Sequence, residues 1–213
     1  MRSICRLIFV LALPVLTASA STMLVTCSTL NGPTELSGNL VCPQFNGLNL
    51  TEISIMLSGG ITGSITLTNN ASVTETGAGT TNSAFTVGPL TGFSIPIPLF
   101  TSMFTTGTQS LTAGQSKTFS GLSGNGSDII TDSTVFAPYT GAGSFNIAVS
   151  TATMLNISGG GGNFGGSQST SANATATVTY TFGSTTVPEM ATPVYLLTGL
   201  GAILIGLVRR RIR

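Results

Sequence analysis

The sequence predicts an all-β fold: an antiparallel β-sandwich or jelly-roll-like ectodomain between an N-terminal signal helix and one C-terminal transmembrane helix. Three observations predict it. Between residues 50 and 182, apolar residues alternate with Ser, Thr and Asn at period two, the signature of half-buried strands. Gly- and Asn-rich clusters punctuate the alternation at short intervals, and nothing between the two ends has helical spacing. The two ends themselves are apolar runs flanked by arginine.

The charge distribution divides the chain. Only 6% of residues are charged, against ~25% in an ordinary globular protein. Six of the seven basic residues lie in the terminal segments, which leaves Lys117 alone between them with Glu35, Glu52, Glu75, Asp128 and Asp132. One lysine against five carboxylates gives that segment a net charge of about −4, and no Lys/Arg cluster is present to displace counterions from phosphates. Nucleic acid is therefore excluded as a partner. So few charges fit either a disordered low-complexity stalk or a β-domain with a neutral, hydroxyl-rich exterior. A disordered stalk has no reason to keep strict alternation, so the segment is expected to fold.

Residues 1–20 carry Arg2 and Arg6, an apolar run at 7–16, and Ala18-Ser19-Ala20. This charged, apolar, small-residue order is that of a cleavable secretory signal, with the expected cut after Ala20. The alternative is a retained anchor, against which stand the shortness of the run and Pro14. Export would go through the Sec machinery and leave residues 21–186 as a single extracytoplasmic domain.

Within that domain Cys27 and Cys42 are the only cysteines, because Cys5 lies in the signal. An even pair in an oxidising compartment reads as a disulfide, and two free thiols are the alternative. The chain has no histidine, which argues against a metal site at the pair.

Ile53, Ile55 and Leu57 share one face, and after Gly59-Gly60 so do Ile61, Gly63, Ile65 and Leu67. The Gly-Gly break predicts two strands in a hairpin. Residues 73–84 are Thr/Gly-rich and read as a loop or a poorly paired edge. Phe93, Ile95, Ile97 and Leu99 alternate again, but Pro96 and Pro98 lack ladder donors and predict an edge strand. A turn at Ala113-Gly114 and a short strand should follow. Gly114-Gln115-Ser116-Lys117-Thr118 lacks the glycine spacing of a phosphate loop. Asn125-Gly126-Ser127-Asp128 reads as a turn; with Asp132 it offers either backbone hydrogen bonds or, less simply, oxygen ligands for Ca²⁺.

Phe145, Ile147 and Val149 alternate with polar residues, and the glycines around Asn163-Phe164 predict a flexible loop. Ala172, Ala174, Ala176, Val178, Tyr180 and Phe182 then share a face opposite Ser171, Asn173 and a threonine at every second position to Thr181. Those β-branched threonines favour a strand, and the passage from alanine to aromatics implies a core that tapers along it.

The last segment, residues 187–213, is Val187-Pro188-Glu189-Met190, an uncharged run at 191–208, and Arg209, Arg210, Arg211 and Arg213. As a helix the run would span ~27 Å, just short of a ~30 Å hydrocarbon core. The arginines should stop it on the cytoplasmic side, with the bulk of the chain outside. Pro-Glu, short span and arginine cluster in this order resemble the PEP-CTERM sorting signal of Gram-negative bacteria, with Met190 where the usual motif has a second proline. The resemblance covers about 27 residues and implies processing by an exosortase-like intramembrane transpeptidase. The segments 45–69 and 139–182 also resemble choice-of-anchor E domains, through Pro43-Gln44-Phe45-Asn46, Leu57-Ser58-Gly59, Tyr139-Thr140-Gly141-Ala142-Gly143 and Thr177-Val178-Thr179-Tyr180-Thr181-Phe182. That resemblance implies no catalytic residues.

Without histidine, Ser-His-Asp and Cys-His constellations are impossible, and the carboxylates are scattered without a motif. The expectation is a non-enzymatic protein with no cofactor and no metal. It would be a structural protein of the cell surface or extracellular matrix, reached through a membrane-anchored intermediate. The alternative is a carbohydrate- or exopolysaccharide-binding module, in which Phe164 would either stack on a sugar or pack over the sheet edge. The absence of tryptophan and a total of three tyrosines count against a sugar reader.

Overall fold

A computed structural model describes residues 20–159, 161 and 163–183. It is all-β and built from antiparallel pairings. The strands are β1 (Ala20–Pro33), β2 (Ser37–Pro43), β3 (Leu50–Asn69), β4 (Glu75–Val87), β5 (Phe100–Thr105), β6 (Gln109–Leu111), β7 (Ser116–Asp132), β8 (Ser144–Gly159) and β9 (Phe164–Gly183). The first sheet has the order β1-β9-β3-β7; the second has β2-β8-β4-β5, with β6 also on β4. The chain thus folds back as one long double ribbon (β1 on β9, β2 on β8, β3 on β7, β4 on β5) whose pairs interleave in two sheets. That is jelly-roll wiring.

The inner faces of both sheets share one core. Ile53, Ile55, Leu57, Ile61, Ile65 and Leu67 of β3 meet Phe85 and Val87 of β4, Ile147 and Val149 of β8, and Ala172 to Tyr180 of β9. The alanines of β9 lie level with β3 residues 57–61, where Gly59 makes room for the Phe85 ring: a Cβ there would sit 2.5 Å from Cε1. The Phe85 ring in turn stacks on Phe100 of β5, with centroids 4.7 Å apart. Small residues on one sheet are thus matched to large rings on the other, as close packing requires.

Several sequence expectations are corrected. Residues 50–69 form one 20-residue strand, not a hairpin. The core-facing positions are odd-numbered on both sides of Gly59-Gly60, so an uninterrupted strand keeps all of them on one face. Residues 75–87 form β4, paired with β8 on one side and β5 on the other, in the middle of the second sheet rather than at an edge. Residues 93–99 form no strand; Pro96 and Pro98 remove the donors a strand would need, and the ladder starts only at Phe100. Asn125–Asp128 is no turn but lies within β7, with Asn125 opposite Gly60. The turn at Ala113-Gly114 is present, with Gly114 at φ +69°, but the strand after it runs for 17 residues. Ser64 of β3 sits opposite a bulge of β7 at which Gly121 adopts φ +71°.

The two sheets are drawn together at both sides. At one, Cys27 of β1 is disulfide-bonded to Cys42 of β2, which joins the sheets. At the other, Gly124 and Gly126 let β7 lie against β5: a Cβ at Gly124 would overlap the Met103 carbonyl, and one at Gly126 would lie 2.7 Å from Thr101 O. The outer strands β1, β7, β2 and β5 stay sheet edges, linked across the sides by the disulfide and by close backbone approach rather than by a ladder.

Candidate functional site

Val187, Pro188, Glu189 and Met190, the arginines at 209, 210, 211 and 213, and the signal at residues 1–19 lie outside the described residues. Among the described residues, no helix is long and apolar enough to cross a membrane.

The candidate ligand residues inside the domain have structural partners. Asp132 ends β7, and its carboxylate accepts hydrogen bonds from the Thr134 N–H (2.9 Å), the Thr134 hydroxyl (2.7 Å) and the Val135 N–H (3.0 Å). Burial pushes its pKa up, but these donors outweigh burial and hold it below the usual carboxylate value. Asp128 lies four residues away on the same strand, roughly 13 Å at strand spacing, too far for the two to share an ion. One Asp128 oxygen instead accepts the Ile129 N–H at 2.8 Å. Phe164 opens β9 opposite Asn69 and is buried against Gly77, so it packs on the sheet and offers no ring to a sugar. Lys117 lies over the Phe119 ring, 4.9 Å from its centroid.

A more elaborate cluster is found where β9 runs out. Leu50, at the start of β3, faces Phe182; β7 ends and β8 begins at this end, as do β2, β4 and the start of β5. Three long connections, 44–49, 88–99 and 133–143, therefore share it, and Tyr139 fastens them together. Its N–H donates to Phe136 O at 2.9 Å and closes a short 3₁₀ turn (Ala137–Tyr139), and its carbonyl accepts the Phe45 N–H at 2.8 Å. Its hydroxyl donates to Thr91 O at 2.7 Å, and its ring meets Phe93 and Phe145 edge-on at 5.6 and 4.9 Å. Beside it, Tyr180 donates to Pro43 O at 2.7 Å, and Phe45 packs on Tyr180 and Phe182 at 5.4 and 5.1 Å. Burial raises both phenol pKa values to about 12, helped by the Asp132 charge at Tyr139 and by Tyr139 at Tyr180. The tapering of β9 towards aromatics was the one sequence signal of this plate; its long-range tyrosine hydrogen bonds leave no periodic trace.

The outer face of the first sheet is different in kind. Ser58, Gly60 and Thr62 of β3 lie between Thr175, Asn173 and Ser171 of β9 and Ser127, Asn125 and Ser123 of β7. Further along, the hydroxyls of Thr66 and Thr118 pair at 2.8 Å and those of Thr68 and Ser116 at 2.9 Å. Asn125 and Asn173, which flank Gly60 in the register, line a shallow depression of about 390 Å³ together with Ser58, Ser127 and Thr175.

No protein-family model matches the chain, and no curated protein matches it. Among solved structures it is similar to a chain of infectious bursal disease virus, Gt strain, at 11% identity, covering 87% of this chain and 48% of that one with a TM-score of 0.13. A chain of the T13 viral particle of the same virus is 14% identical, over 82% and 41% of the two chains, with a TM-score of 0.17. The parasporin-2 toxin of Bacillus thuringiensis is 14% identical, over 78% and 72%, with a TM-score of 0.09. The chain spans about half the length of the viral chains. Likenesses at these scores carry no argument about this protein.

Proposed function

We propose that this chain is an exported structural protein of the cell surface or extracellular matrix of a Gram-negative bacterium. The jelly-roll domain is its working part, and the C-terminal segment is a transmembrane sorting helix processed by an exosortase-like transpeptidase. The observation that carries the reading is the composite tail: Pro188-Glu189, an uncharged run of 18 residues at 191–208, and four arginines within five positions. The domain supports it. An outer sheet face of Ser, Thr and Asn suits a protein that must stay soluble at high density outside the cell without relying on charge. Pro188 fixes its own φ and biases Val187 towards an extended conformation, the form in which a processing site holds a chain, and Glu189 is the only charge between Asp132 and the arginines. Glu189→Ala should leave a full-length, membrane-retained form in the native host, whereas Met190→Pro should be processed normally. Release of the Glu189→Ala protein at the rate of the unsubstituted one would sink the sorting role.

A second reading rests on the depression between Asn125 and Asn173. Its uncharged amides and hydroxyls are complementary to a neutral polysaccharide rather than to a charged ligand. A glycan array probed with the exported protein separates the two: saccharide binding lost in Asn173→Ala and Asn125→Ala favours a binding module, and assembly independent of polysaccharide favours a matrix subunit.

A further inference from the structure

The two most exposed large apolar side chains among the described residues are Ile97, 81% exposed, and Leu48, 78% exposed. Both lie on connections at the end of the domain where β9 runs out, and so next in the chain to the segment that leads into the apolar run. They do not stand out because their loops are loose. The 44–49 connection is held by the Phe45 N–H to Tyr139 O bond and the Gly141 N–H to Phe45 O bond (2.8 and 2.9 Å), and Asn49 closes it at φ +60°. The 88–99 connection is held by the Tyr139 hydroxyl on Thr91 O and by the Leu99 N–H on Phe85 O (2.7 and 2.8 Å). Single exposed aliphatic side chains are ordinary on protein surfaces; these two are set apart by being the most exposed among the described residues and by sitting on the end from which the tail leaves.

We propose that Leu48 and Ile97 dock this end of the domain on the bilayer that holds the tail, as shallow aliphatic anchors in the headgroup region. The proposal rests on the tail being a membrane span. Residues 184–190 are the seven that separate the last described residue from the apolar run, and fully extended they reach at most ~25 Å. A domain on so short a tether samples the bilayer surface continuously, and the face it can bring there is the one around the end of β9. The same end has no lysine or arginine among the described residues, since Lys117 lies at the opposite end, where β7 starts. The anchoring is therefore hydrophobic, and it should not depend on anionic lipid.

The chain has no tryptophan, so Leu48→Trp and Ile97→Trp each introduce a single reporter at a position open enough to accept it. Val73→Trp, on the β3–β4 connection at the opposite end, is the reference. The full chain would be reconstituted into phosphatidylethanolamine/phosphatidylglycerol vesicles, with and without acyl-brominated lipid. The expected result is a blue-shifted emission and bromolipid quenching for Leu48→Trp and Ile97→Trp, independent of the phosphatidylglycerol fraction, and neither effect for Val73→Trp. Equal quenching at all three positions, or none at any in protein that floats with the vesicles, overturns the docking while leaving the span intact. Protein that does not float at all overturns the span, and the docking with it. A shift that grows with protein density at fixed lipid composition assigns the tips to a second copy and also overturns the proposal.

Discussion

Removing the Tyr139 ring is the sharpest perturbation of the plate that joins the three connections. Tyr139 is 2% exposed, and Tyr139→Ala deletes a ring packed edge-on against Phe93 and Phe145. Truncation of a buried aromatic costs ~3–5 kcal/mol, a range that already contains the two aromatic contacts. The Thr91 carbonyl also loses its donor, which adds about 1–2 kcal/mol if water does not replace it. Tyr139→Phe keeps the ring and isolates the hydroxyl, so it should cost only that last ~1–2 kcal/mol. For a domain of this size, 1 kcal/mol corresponds to a fall of roughly 2–4 °C in Tm, so Tyr139→Ala should lose about 10–25 °C and Tyr139→Phe about 2–8 °C. Calorimetry, with urea titration as the check that m is unchanged, measures both. A Tyr139→Ala protein within ~1 kcal/mol of the parent would refute the claim that this side chain holds the end together.

Other perturbations test other parts of the fold. Non-reduced peptide mapping should find Cys27 linked to Cys42, and replacing both by alanine should cost about 3 kcal/mol, because a loop of this length regains its freedom in the unfolded chain. Asp132 has a lowered folded pKa, so its contribution is present above the ordinary unfolded value of ~3.9 and disappears as pH falls through the lower folded one; Asp132→Asn should flatten that acid limb of a stability–pH curve. Tyr139 and Tyr180 have folded pKa values raised to about 12, so their contribution is complete below pH ~10 and is lost as pH rises through about 12, and the double phenylalanine variant should remove that alkaline loss. Gly124→Val should destabilise strongly, because the side chain would meet the Met103 backbone where β7 lies against β5, whereas Gly114→Ala in its open turn should show only the milder strain of a left-handed φ.

What was legible in the sequence follows from the range over which each signal acts. Alternation is local, so β3, β8 and β9 and their core faces are visible one residue at a time. Gly59-Gly60 misled because a glycine pair marks turns more often than strand centres. The decisive sign was parity: Ile61, Ile65 and Leu67 continue the odd-numbered face of Ile53 to Leu57, and Phe85 from the other sheet uses the room at Gly59. The strand β4 escaped because its core face contains glycine, threonine and serine at Gly77, Gly79, Thr81 and Ser83, with Phe85 and Val87 only at its end. Those polar side chains are satisfied, Thr81 donating across the core to Gln168 Oε1 at 2.7 Å and Thr153 of the neighbouring β8 donating to Ser83 at 3.0 Å, a pattern no hydropathy count detects. Asn125–Asp128 has turn composition, yet its Gly126, with Gly124 just before it, serves a close approach between strands, which depends on β5, some twenty residues earlier in the chain. The Tyr139 plate joins residues 43–45, 91–93, 139–145 and 180–182, and only the fold brings them together.

The account stands most directly on the fate of the C-terminal segment. In the native host, mass spectrometry of the surface-associated protein, compared with the same protein in the membrane fraction, reads its C-terminal peptide. The account predicts that the membrane form ends with Arg209, Arg210, Arg211, Ile212 and Arg213 and that the surface form ends near Val187–Met190, without the apolar run. A surface form that still carries Arg209 to Arg213 would make the tail a permanent anchor and contradict sorting by cleavage.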